Sequence, residues 1–165
     1  MKYYLPLLVI LCLPIATKCQ EPITKIFIAR HADRQGQADD LSAPGVKRAA
    51  ELKRVLGLVK IDSIFSTNTI RTKKTVEPLA TLKNLPIRTY LDIPTIIKHI
   101  MLNCKGKTVL VVAHSDTVDD LIRECGCKAP SSIDPNMPAT EYDNLFVVHF
   151  SAKGDATVIH MKYGD

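Results

Sequence analysis

The chain has 165 residues, 46% of them hydrophobic and 24% charged, with a formal net charge of +5. That length accommodates one domain with a sizeable core, and there is no internal repeat or low-complexity segment to suggest another architecture. The mild basic balance excludes a dedicated nucleic-acid binder, because the lysines and arginines are scattered and lack interleaved aromatics, and it suits a small anionic ligand.

Lys2 is followed by an uncharged apolar stretch from Tyr3 to Ala16 that ends in Thr17, Lys18, Cys19 and Gln20. This has the form of a signal peptide covering residues 1–19, with cleavage expected between Cys19 and Gln20. The run is shorter than the ~20 residues a membrane-spanning helix requires, and Pro6 and Pro14 weaken a helix further. Export to a periplasmic or extracellular location is expected, with no stable membrane span after cleavage. A lipid anchor on Cys19 is the competing idea, disfavoured by Thr17 and Lys18. Removal of the first 19 residues leaves a domain of 146, residues 20–165, and loss of Lys2 and Lys18 lowers the charge from +5 to +3. Three cysteines remain, Cys104, Cys125 and Cys127. They are too few for a zinc site, and a bridge across one residue is strained. A disulfide from Cys104 to either of the others is expected, with three buried reduced thiols as the alternative.

The first element of the mature chain is the apolar run Ile26, Phe27, Ile28, Ala29, which reads as a strand covered on both faces and stops at Arg30 and His31. A polar loop from Gln35 to Asp40 leads to a helix capped by Ser42, with Pro44 in its first turn and Gly45, Ala49, Leu52 and Leu56 on one face before Gly57. Ile61 to Phe65 is a second strand. Ser66 to Asn68 should cap a helix reaching about Leu82, with Thr72, Val76, Leu79 and Ala80 inward. Pro86 to Leu91 is expected as a third strand, Pro94 to Cys104 as a third helix, Lys107 to Ala113 as a fourth strand and Thr117 to Cys125 as a fourth helix. The alternation predicts a three-layer α/β/α sandwich around a mostly parallel sheet. Asn144 to Phe150 and Ala156 to Met161 should close it with an antiparallel hairpin at one edge. The long connection from Gly126 to Glu141, rich in proline and serine, reads as a lid or specificity loop.

Strands of parallel sheets deliver functional side chains beyond their carboxyl ends. The first strand runs into Arg30 and His31, and the fourth runs into His114, Ser115 and Asp116. Arg71, early in the second helix, can point back over the same edge. Two guanidinium forks and two imidazoles form a set suited to phosphate, which arginine grips bidentately while an imidazole nitrogen attacks. The glycine spacing of a phosphate-binding loop is missing around Gly106-Lys107-Thr108. Phosphate must therefore be held by side chains.

Several segments together resemble the histidine phosphatase superfamily, also called phosphoglycerate mutase-like. Arg30-His31-Ala32 resembles its Arg-His-Gly signature with alanine in place of glycine. Leu41-Ser42-x-x-Gly45-x-x-Arg48-Ala49 resembles the start of its first helix, and Ser66-Thr67 through Arg71-Thr72 and Thr75 the segment bearing its second arginine. Val111-Val112-Ala113-His114-Ser115 resembles its second-histidine strand. The resemblance spans nearly the whole mature chain and implies a small exported phosphomonoester hydrolase acting on a small phosphorylated substrate. It implies His31 as the nucleophile that becomes a transient phosphohistidine, Arg30, Arg71 and His114 as ligands of the phosphoryl oxygens, Ser115 beside them, and no metal or other cofactor. The unprotonated attacking nitrogen of His31 requires that its other nitrogen donate to a fixed acceptor, such as a backbone carbonyl.

For the acid that protonates the leaving group, Asp92 is the preferred residue, with Asp116 and Asp33 as further candidates. Against this, Asp92 is equally suited to cap the third helix and Asp116 the fourth. A phosphohistidine or phosphoramidate substrate would need no strong acid, so a protein phosphohistidine phosphatase is the second enzyme reading. A non-catalytic module that captures phosphorylated ligands is the reading from another class. Mutase activity is disfavoured by the short chain. His99, His149 and His160 read as structural or surface groups, Arg34 as a solvated arginine, and Arg48 and Arg54 as the exposed side of the first helix. Tyr142-Asp143-Asn144 reads as a turn.

Overall fold

The computed structural model describes residues 23–151 and 154–164, so the expected signal segment and its boundary at Cys19 and Gln20 lie outside the described residues. Ten elements follow in order: β1 (Thr24–Arg30), α1 (Ala43–Leu56), β2 (Ser63–Ser66), α2 (Ile70–Lys83), β3 (Ile87–Thr89), α3 (Ile93–Asn103), β4 (Thr108–Ala113), α4 (Val118–Glu124), β5 (Asn144–Phe150) and β6 (Ala156–Lys162). The strands form one sheet in the order β3-β2-β4-β1-β5-β6. The first four in that order are parallel neighbours, and β5 runs antiparallel to both β1 and β6. This is the mostly parallel α/β sandwich with a terminal hairpin that the alternation of elements predicts.

Strand periodicity splits the core into two layers. Ile26 and Ile28 of β1, Val109 and Val111 of β4 and Phe146 of β5 face α3 and α4, where Ile96, Ile97, Ile100, Leu121 and Ile122 meet them. The alternate residues, Phe27, Ala29, Leu110, Val112, Leu145 and Val147, face Leu52 and Leu56 of α1 and Val76 and Leu79 of α2. β1 and β4 are apolar on both sides because helices cover both sides. Full burial of each such Ile or Leu contributes roughly 1.5–3 kcal/mol.

Two element boundaries differ from expectation for reasons that concern the site. β2 runs on through Ser66, and α2 starts only at Ile70, capped by the Thr69 side chain accepting from the Thr72 backbone N–H. Residues 67–69 are thereby left as a bridge over the sheet's carboxyl edge. α3 starts at Ile93, with Asp92 as its cap rather than as a residue free for other work.

The cysteine expectation is corrected. Cys104, Cys125 and Cys127 are all free thiols, each buried in the layer of α3 and α4. Burial pushes the Cys125 thiol up to about 12, so it behaves as a small apolar side chain. Among the described residues no cluster of His, Cys, Asp and Glu could hold a metal ion, and no helix is long and apolar enough to cross a membrane.

Candidate active site

The site is built by strand register. β1 and β4 pair Arg30 with Ala113, so the next residue of each strand is a histidine at the same level of the sheet. The His31 backbone N–H continues the ladder to the Ala113 carbonyl at 2.9 Å. Beyond these strand ends lies an open cavity of about 430 Å³ lined by Arg30, His31, Arg34, Arg71, His114, Ser115, Asp116, Ala139 and Tyr142. Arg30, His31, Arg71, His114 and Ser115, proposed from the sequence, are thus brought together.

His31 is 4% exposed, and its Nδ1 lies 2.8 Å from the Ala32 carbonyl. A carbonyl only accepts, so Nδ1 carries the proton and donates it, leaving Nε2 with a free lone pair. Burial lowers the His31 pKa to about 4, helped by the charges of Arg30 and Arg71 and opposed by the bond to Ala32. The ring is neutral at neutral pH. The turn that carries it is pinned by Thr75 of α2, whose hydroxyl accepts from Ala32 N–H at 2.8 Å and donates to the Arg71 carbonyl at 2.7 Å.

His114 stands at the centre of a polar chain. Arg71 Nη2 lies 3.1 Å from its Nδ1, and since guanidinium only donates, Nδ1 accepts. The proton then sits on Nε2, 2.9 Å from Thr67 Oγ1, and that hydroxyl donates to Thr72 Oγ1 at 3.1 Å. Thr117 secures the backbone, accepting from His114 N–H at 3.1 Å. The His114 pKa is lowered by burial and then by the charge of Arg71.

Arg30, 4% exposed, serves the cavity and a loop together. Its Nη1 donates to the carbonyls of Pro138, Ala139 and Glu141 at 3.0, 3.0 and 2.9 Å, and its guanidinium carbon lies 3.9 Å above the Tyr142 ring centroid. The connection expected to act as a lid is thus fastened at its end to a phosphate-binding candidate. It is also packed into the core through Ile133 and Met137 and bonded from Met137 N–H to the Ser115 carbonyl at 3.0 Å. Nε of Arg30 and Nε of Arg71 are buried donors without a hydrogen-bond partner. Burial also lowers the Arg30 pKa from its ordinary value.

Several sequence readings need correction. Asp92 is not among the cavity residues. It borders a separate depression with Phe65, Tyr90 and His99, and its carboxylate accepts from Thr95 N–H at 2.8 Å. That bond lowers the Asp92 pKa, the wrong direction for a proton donor. Asp33 is committed to Arg48 at 2.6 Å, with side-chain exposures of 21% and 13%, so Arg48 is a half-buried partner rather than a solvated helix residue. Arg34 lines the cavity, with its guanidinium donating to Gln37 Oε1. Tyr142 is a wall of the site, stacked over Arg30 and 5.8 Å from the His31 ring. Of the three acid candidates only Asp116 lines the cavity. His99 and His160 are structural as expected, packed against Phe65 and Phe146 respectively.

No protein-family model matches the sequence, and no curated protein sequence does. Solved structures do match. A protein histidine phosphatase SixA complexed with tungstate superposes with a TM-score of 0.61 at 21% identity, covering 84% of this chain and 96% of that one. The structural neighbours are members of the histidine phosphatase superfamily. Phosphoserine phosphatase from Entamoeba histolytica, in complex with 3-phosphoglyceric acid, gives 0.65 at 12% identity over 86% of this chain and 97% of that one. Mycobacterial glucosyl-3-phosphoglycerate phosphatase gives 0.67 at 15% over 86% and 100%. At these identities the likeness establishes the fold, and any statement of chemistry rests on the side chains described above.

Proposed function

We propose that the chain is a metal-independent phosphomonoester hydrolase working through a phosphohistidine on His31. The observation that carries this reading is the His31 ring: buried, neutral, with Nδ1–H fixed on the Ala32 carbonyl and Nε2 left with its lone pair in a cavity that three arginines line. In the first step Nε2 attacks phosphorus, the N–P bond forms, and the P–O bond to the leaving group breaks. Arg30, Arg71 and His114 bind the equatorial oxygens and offset charge that grows on them, the role a metal ion has elsewhere. A proton passes to the departing oxygen by way of the Asp116 carboxyl, which lines the cavity. In the second step a water oxygen attacks phosphorus, Asp116 takes a proton from that water, the N–P bond breaks, and inorganic phosphate leaves with His31 restored.

The unpartnered Nε groups of Arg30 and Arg71 support the same reading, because buried donors without acceptors are costly and an oxyanion in the adjoining cavity offsets their charge. Arg34 adds positive field at the cavity wall. The structural neighbours that are phosphatases favour the hydrolase over a passive phosphate-binding module. A phosphohistidine-directed activity is the second reading. It is favoured by the withdrawal of Asp33 and Asp92 from the site, which leaves a single carboxylate for acid work. We place the activity outside the cytoplasm on the strength of the apolar run at Tyr3 to Ala16.

The test is release of phosphate from an aryl phosphate in the presence of EDTA, comparing wild type with His31→Ala. Activity in wild type and its loss in the variant is the expected result. An inert wild type that still binds phosphate would turn the assignment toward a binding module, unless a phosphoramidate is hydrolysed.

A further inference from the structure

Asp39 lies in the exposed connection between β1 and α1, yet its carboxylate meets α2 at three points. One oxygen accepts from Ile70 N–H at 3.0 Å, and the other accepts from Arg71 N–H at 3.4 Å and Arg71 Nη1 at 2.8 Å. A single carboxylate therefore grips the backbone and the tip of the same arginine, which closes a ring and leaves the side chain few other rotamers. The other nitrogen of that fork, Nη2, is the one that donates to His114 Nδ1 at 3.1 Å.

The connection that presents Asp39 is braced. Arg34 and Leu41 form a β-bridge at its base, Gln35 N–H reaches the Asp40 carbonyl at 2.9 Å, and Asp40 pairs with Lys74 at 2.7 Å. The chain Asp39, Arg71, His114, Thr67 thus runs from an exposed loop into the cavity through bonds of 2.8, 3.1 and 2.9 Å.

We propose that Asp39 is a positioning residue for Arg71, engaging Nη1 so that Nη2 is presented beside His114 for a phosphoryl oxygen. The proposal rests on the phosphatase reading of the site and extends it to a residue outside the cavity lining. Holding a long cation in its working rotamer before the ligand arrives removes an ordering cost from binding. The opposite possibility is that Asp39 competes with phosphate for the guanidinium, and it predicts an effect of opposite sign.

The experiment uses Asp39→Asn, which keeps the size of the side chain and an oxygen for the α2 amides while removing the charge. Tungstate binding is measured by calorimetry and aryl phosphate hydrolysis by phosphate release, in wild type, Asp39→Asn, Arg71→Ala and the double variant, with Asp40→Asn as a control for loop bracing. The expected result is about a tenfold rise in tungstate Kd and in KM, with kcat changing less, as fits loss of one charge-assisted hydrogen bond. The effect should shrink to less than about twofold on the Arg71→Ala background, since a residue acting through Arg71 has nothing left to position. Binding at wild-type strength or tighter, an undiminished effect on that background, or the same loss in Asp40→Asn would overturn the proposal. A wild type that binds tungstate without hydrolysis defeats the phosphatase reading alone, because the binding arm still decides Asp39. Absence of both binding and hydrolysis defeats both.

Discussion

The rings of His31 and His114 stand edge to face, their centroids 5.4 Å apart and their planes inclined at 62°. Parallel pairing of β1 with β4 puts them there, since Arg30 and Ala113 are register partners and a histidine follows each. Burial, helped by the charges of Arg30 and Arg71, disfavours a proton on either imidazole. Both are held neutral, which a nucleophile needs and which a phosphate dianion can later reverse on His114.

Neutrality of His31 sets a pH profile. Its pKa, lowered to about 4 chiefly by burial, means that the acid limb of kcat/KM should rise as pH passes upward through about 4. Stability follows the same group. Between its ordinary value of 6.5 and about 4 the unfolded chain takes a proton that the folded chain refuses. Stability is therefore full above about 6.5 and is lost as pH falls toward 4, with His114 adding in the same direction. Thermal melts should show wild type losing stability toward pH 4 more steeply than His31→Gln.

The two aspartates should separate cleanly. Asp116→Asn is expected to lower kcat on an alkyl phosphate by about 10²-fold or more and to affect a phosphoramidate far less, because only the poor leaving group needs the proton. Asp92→Ala should leave the rate within about twofold and lower the melting temperature through loss of the α3 cap. Equal rate losses in the two variants would return Asp92 to the site.

Thr75 supplies the clearest stability prediction inside the site. Replacing it with Val removes the acceptor of the buried Ala32 N–H and should cost about 1–3 kcal/mol, with kcat falling as the His31 turn loosens. Thr75→Ser keeps the hydroxyl and should restore most of the rate. Urea melts and steady-state kinetics on both variants decide it.

Gly45 is required by close approach. A Cβ there would lie 2.1 Å from the Asp33 carbonyl oxygen, so Gly45→Ala must push α1 away from the turn that follows His31. A loss of about 1–3 kcal/mol is expected, with reduced activity, read by thermal melting and the aryl phosphate assay.

The thiols should behave as core groups. Cys104, Cys125 and Cys127 are each 9% exposed or less, so a thiol reagent should modify them only as fast as the chain opens. In non-reducing denaturant the chain from residue 20 onward should show all three as free. A deficit of two would restore the disulfide expectation.

Sequence alone determined the order and type of the elements, because each strand is an apolar run that two helix layers must cover and each helix repeats its apolar residues on one face. It also singled out Arg30, His31, Arg71 and His114 as candidates, since strand-terminal histidines and a helix-start arginine are visible as local patterns, and the fold gathers them around one cavity. What the chain does at a distance was decided only by the tertiary structure. Asp33 and Arg48 lie 15 residues apart and Asp39 and Arg71 lie 32 apart, and no local pattern announces either pair. Tyr142 reads as part of a turn until Arg30 is seen beneath its ring. Asp92 and Asp116 are equivalent in sequence, each a carboxylate just before a helix. One faces the Thr95 amide and the other the cavity, because register and helix start, set by packing across the whole sheet, fix where each carboxylate ends.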